Sequence, residues 1–137
     1  MIDIERDVFD TCARAVLAKH GGAFVASEQT RSPESFPAVY LVESANTTNM
    51  RMQDNQEREQ YADVTYTANV YSNLLGAGAA KGECRDIACI IDEAMASMGI
   101  RRTWCGWVEN LSDTSVRRYV MRFAATVRYD GTVFRRS

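Results

Sequence analysis

The chain has one histidine, two prolines and two lysines, and no apolar run near the ~18 residues a membrane-spanning helix needs. Each shortage excludes something. A single histidine, His20, leaves no His cluster for a metal and few choices of general base. Two prolines, both between residues 29 and 37, argue against a disordered linker or a collagen-like chain. The first seven residues, Met1 to Asp7, are acidic and lack a signal peptide's apolar stretch, so nothing there marks the chain for secretion. The four cysteines, at 12, 84, 89 and 105, form no C-x-x-C pair. They are expected to be reduced, in an intracellular protein.

What is present is ordinary for one folded domain. The chain has 137 residues, 46% hydrophobic and 25% charged. A chain of this length buries roughly two thirds of its extended surface, so a real core is expected. Net charge is −2, too low for an electrostatic nucleic-acid binder. The charge is uneven. Residues 1–100 hold 15 acids and 8 bases, whereas residues 101–137 hold 3 acids and 8 bases. Arginine supplies 14 of the 16 basic residues, and arginine is the residue enriched where a planar fork meets carboxylates at an interface.

Periodicity predicts the elements. Asp3 is a candidate cap for a first helix, in which Ile4, Val8, Phe9, Cys12, Val16 and Leu17 recur at helical spacing. Gly21-Gly22 supplies its stop, with His20 at the negative end of its dipole. Residues 23–28 read as a short strand, 29–37 as a loop and 38–43 as an apolar strand. A polar stretch from about 44 to 60 reads as a long loop, a common setting for binding residues. Residues 61–72 alternate as a strand, with Val64, Tyr66, Ala68 and Val70 on one side. A second helix is expected from about Glu83 to Met98, then strands over 100–108 and 116–129. On the last strand, Tyr119, Met121, Phe123, Ala125, Val127 and Tyr129 form an apolar face, and Arg118, Arg122 and Arg128 lie opposite. Helices set apart among neighbouring strands predict an α+β fold: a mostly antiparallel sheet of four to five strands with two helices on one face, in a single domain over 1–137.

Catalytic patterns are missing. There is no phosphate-binding glycine loop of either common kind. Asp92-Glu93 are helix neighbours that do not face each other, and Glu57 and Glu59 fall in the polar loop. No enzyme, cofactor or metal is expected. Three features point instead to a broad protein-binding surface: the 44–60 loop with Met50-Arg51-Met52, the arginine face of the last strand, and the aromatic excess of Tyr71, Trp104, Trp107 and Tyr129. Met50, Arg51, Met52, Arg58, Arg118, Arg122 and Arg128 are the candidate interface residues.

A series of positions along the chain adds to this. Phe36-Pro37-x-Val39 leads into a strand ending in Glu43. Gln53-Asp54-Asn55-x-x-x-Glu59 lies late in the polar loop, and Asn69-Val70-Tyr71-Ser72-Asn73 closes the next strand. Glu83-Cys84-x-x-Ile87, Ile91-Asp92-x-x-Met95 and Met98-Gly99-x-x-Arg102 follow. The series resembles the tail terminator, or tail completion, family of long-tailed bacteriophages, over nearly the whole chain. The resemblance implies a virion structural protein assembled in the host cytoplasm. Such proteins form a ring, usually a hexamer, on the head-proximal end of the tail tube. The ring ends tube polymerisation and offers the surface for head–tail joining at the neck. Implied partners are further copies of the chain, the tail tube protein and a head-closure protein. DNA passes through the lumen without specific binding, and no membrane, cofactor or catalytic residue is implied. A closed ring needs two different patches that meet. The acidic front and basic back of the chain would serve if they lie on opposite sides.

Two rivals remain. A head-closure or connector protein is also a small ring-forming neck component. A small cytoplasmic ligand-binding domain or enzyme would use a pocket lined by Trp104 and Trp107.

Overall fold

The computed structural model describes residues 1–28, 33, 35–49, 61–110, 113 and 115–134. The elements are α1 (Glu5–Lys19), β1 (Phe24–Ala26), β2 (Ala38–Thr48), β3 (Tyr61–Ser72), α2 (Ala79–Ser97), β4 (Arg101–Val108), β5 (Arg117–Arg128) and β6 (Val133–Phe134). The sheet runs β1-β2-β3-β5-β4, with β6 on the free part of β5. Only β1 and β2 are parallel; every other pair is antiparallel. This is the α+β fold expected, with two helices on one sheet face.

The helices form because each carries an apolar stripe that the sheet can bury. Val8, Cys12 and Val16 of α1 and Ile87, Ile91 and Met95 of α2 join Leu41, Val64, Tyr66, Phe123 and Val127 in one core. Each large side chain of that set contributes roughly 1.5–3 kcal/mol by leaving water. A smaller cluster lies on Ala38, Tyr40, Tyr71 and Val116, packed by Phe24 and Phe36. Tyr40 meets Phe24 and Tyr71 edge-to-face, with ring centroids 6.0 and 5.8 Å away.

Several boundaries depart from expectation. β2 continues to Thr48, so residues 44–48 are strand and not loop. That stretch is polar, yet it pairs with β3 from Ala45 to Thr48, past a bulge between Glu43 and Ala45. α2 begins at Ala79, four residues before Glu83, because Gly78 adopts a left-handed φ of 73° and turns the chain directly into the helix. Asp3 is not the residue that caps α1. Ile4 holds that position, while the Asp3 carboxylate accepts the Glu5 N–H at 3.0 Å. Leu17 falls off the buried stripe and is 41% exposed. Tyr129 lies past the end of β5, 58% exposed, so it is no part of the apolar face. Among the described residues no helix is long and apolar enough to cross a membrane.

Candidate functional site: an arginine-faced sheet with two open edges

The register decides which side chains share a surface. Val64, Tyr66 and Ala68 point into the helical layer, so Asp63, Thr65, Thr67 and Asn69 point away from it. Across the ladder, Asn69 pairs with Val120, Thr67 with Arg122 and Tyr61 with Arg128. Arg118, Arg122 and Arg128 therefore share the face without helices, as the alternation predicted. Each stacks on an aromatic ring: Arg118 on Tyr71 at 5.8 Å, Arg122 on Trp104 at 5.4 Å, Arg128 on Tyr129 at 5.1 Å. Their settings then diverge. Arg118 is half-buried and donates to Asn69, a residue that is 5% exposed. Arg128 has Asp130 3.9 Å away. Arg122 is exposed, and Trp104 beside it is 44% exposed. Met50, Arg51, Met52 and Arg58 lie outside the described residues, as do Glu57 and Glu59.

Among the described residues, both long edges of the sheet are open. Nothing pairs with the outer side of β4 among the described residues, and β1 covers β2 only from Ala38 to Tyr40. Beyond Tyr40, the β2 edge is acidic. Carboxylate oxygens of Asp3, Glu5 and Glu43 lie within 4.8 Å of one another. Burial raises the Glu43 carboxyl above its ordinary range, and the Glu5 and Asp3 charges add to the rise, while the Tyr66 hydroxyl, donating at 3.2 Å, opposes it. The β4 edge is basic. Arg101 is exposed, and Arg102 lies 3.5 Å from Asp92 of α2. Acidic and basic sides are thus separated by the width of the sheet, with β3 and β5 between them. Sequence reasoning noticed the charge imbalance. It did not single out Glu43 and Arg102 as site residues, because their placement on the two edges depends on register.

The remaining chemistry is committed elsewhere. His20 holds the C-terminal end of α1, as expected, and its Nε2 lies 2.6 Å from the Asp86 carboxylate, tying α1 to α2. The four thiols are free. Burial pushes Cys12 and Cys84 up to about 12, which keeps both thiols protonated at neutral pH. A cleft of about 580 Å³ opens beside the start of β4, lined among others by Asp63, Asp92, Arg101 and Ala124. Neither tryptophan lines it; Trp107 lines a smaller cleft of about 340 Å³ with Lys81, Val116 and Arg118, and Trp104 lies outside both. Asp92 is paired to Arg102, and Asp63 accepts the Thr126 hydroxyl at 2.8 Å and the Asn49 amide at 3.2 Å. Trp107 packs against Tyr119 with centroids 4.7 Å apart, under Lys81 and Arg85.

These features define an α+β domain with one helical layer, one arginine-bearing sheet face and two free edges of opposite charge. No family model and no curated protein matches the chain. Among solved structures, it is similar to a chain described as "Virion of native gene transfer agent (GTA) particle". The identity is 16%, the TM-score 0.62, and the match covers 88% of this chain and 91% of that one. At that identity the likeness is one of fold.

Proposed function

We propose that this protein is a structural component of a phage-like virion, and within it a tail terminator. The observation that carries the reading is the fold shared, over 88% of this chain, with a chain of a gene transfer agent virion. In the proposed role, copies form a closed ring, usually of six, on the head-proximal end of the tail tube. The ring ends tube polymerisation and joins the tail to a head-closure protein at the neck. The exposed Arg122–Trp104 pair suits a protein contact, since arginine and tryptophan are enriched where partners bind tightly. The mildly acidic total charge suits a lumen that passes DNA without gripping it. Domain limits of 1–137 and a contact role for Arg51, Arg58, Arg118, Arg122 and Arg128 belong to the same proposal.

The deciding experiment measures native mass over a concentration series, with and without purified tail tubes. A closed oligomer that caps tubes and stops their growth is the expected result. A protein that binds only the head connector would identify a head-closure component instead. A protein that neither self-associates nor binds tubes would sink the proposal.

A further inference from the structure

Glu43 pairs with Tyr66 across β2–β3, Tyr66 with Phe123 across β3–β5, and Phe123 with Arg102 across β5–β4. These four residues form one row across the sheet. Tyr66 and Phe123, in the middle, are buried in the helical core. Glu43 and Arg102 are its two ends, one on each open edge. We infer that the sheet continues from copy to copy, the β4 edge of one subunit lying along the outer edge of β2 of the next, with Arg102 meeting Glu43. The occupant of each edge is a second copy of this chain, and the inference rests on the ring reading above.

Three observations support the pairing. Strand direction is the first. β2 opposes β3, β3 opposes β5 and β5 opposes β4, so β2 and β4 run oppositely. Copies related by rotation about an axis along the strands would therefore bring β4 beside β2 as an antiparallel pair, like most of the sheet within each copy. A contact between two different patches is also the kind that closes a ring.

Charge is the second. No cation is paired with Asp3, Glu5 or Glu43 among the described residues. Their mutual repulsion makes that corner unfavourable alone and favourable beside a neighbour's guanidinium. Arg102 can serve there while keeping Asp92. The Asp92 contact is half-exposed at 3.5 Å, and a guanidinium has donors for a second carboxylate.

The third is the backbone of the two edges. The outer sides of β4 and of β2 from Leu41 to Thr47 pair with no other described strand, and such an edge offers main-chain groups to a further strand whose shape matches it.

The test uses the full chain with Glu43→Arg, Arg102→Glu and the two combined, measured by native mass with and without tail tubes. Each single reversal should raise the concentration for half-assembly by roughly 30-fold or more, and the double reversal should restore assembly. Glu43→Gln can still accept the Tyr66 hydroxyl bond while losing the charge. It guards against a Glu43→Arg chain that fails to fold, and it too should weaken the ring. Folded single variants that assemble like the parent overturn the edge pairing and leave the ring standing. A double variant that stays dispersed also overturns the pairing. A parent chain that never assembles, with tubes or without, overturns the proposed function instead.

Discussion

Arg118 grips Asn69 with two donors: its Nε at 3.0 Å and its Nη2 at 2.8 Å both reach the Asn69 side-chain oxygen. Asn69 is buried in the middle of the sheet, so its amide relies on protein partners. This makes Arg118 partly a structural residue, in contrast to Arg122 one pleat pair further along β5.

Arg118→Ala should therefore lower the free energy of unfolding by about 1–3 kcal/mol, the cost of stranding a buried polar group. Arg122→Ala loses an exposed cation–ring contact and should shift stability by no more than about 1 kcal/mol. Urea unfolding of the two variants measures the difference. If Arg122 supports assembly, its variant should show the loss in native mass rather than in stability.

The Glu43 carboxyl gives a pH dependence with a definite sign. Its folded-state pKa is raised, so the folded protein holds that proton more tightly than the unfolded chain does. The Glu43 contribution to stability is fully present below the ordinary carboxylate pKa and is lost as pH rises through the raised one. The difference in unfolding free energy between the parent chain and Glu43→Gln should therefore move in the parent's favour as pH falls across that window. Asp113 and Asp130, lowered by bonds from Ser115 and Thr132, act in the opposite sense in both proteins and cancel in the comparison. A flat difference from neutral pH to pH 4 would count against the assignment.

Thiol labelling should separate the cysteines by burial. Cys89, on the outer side of α2, is exposed and should react first with a soluble disulfide reagent. Cys12 and Cys84 are buried, with thiols held at about 12, and should react only on unfolding. Mass spectrometry of partly labelled protein reads the order.

Gly106 faces the Trp104 ring. A Cβ built on Gly106 would lie 2.8 Å from the indole Cζ2, closer than atoms pack. Gly106→Ala should push the indole aside and loosen its contact with Arg122. In a Trp107→Phe background, the fluorescence of Trp104 should shift on this substitution, with stability changed far less than by Arg118→Ala.

Much of the fold was legible in the sequence because burial writes periodicity into it. Val64, Tyr66, Ala68 and Val70 announce β3, and the spacing of Cys84, Ile87, Ile91 and Met95 announces α2. Other parts were not, for physical reasons. Residues 46–48 pair as strand although their side chains are polar, because backbone pairing and not burial holds that end of β2. The first turn of α2 is hidden by Gly82, a poor helix former inside the helix. At the candidate site, alternation put Arg118, Arg122 and Arg128 on one face but could not tell that Asn69 engages the first and leaves Arg122 exposed. The Glu43–Arg102 row was invisible, since three registers must be known before its ends can be matched.

The two edge strands share an irregularity. β2 bulges between Glu43 and Ala45, β4 between Arg102 and Trp104, each break beside the same row. A flat edge is an indiscriminate template, which any extended peptide in a crowded cell can zip onto. A kinked edge rejects most such comers, because a regular strand falls out of step at the kink. The edges of this protein thus behave less like adhesive and more like a toothed key, their distortion narrowing the choice of what they fit.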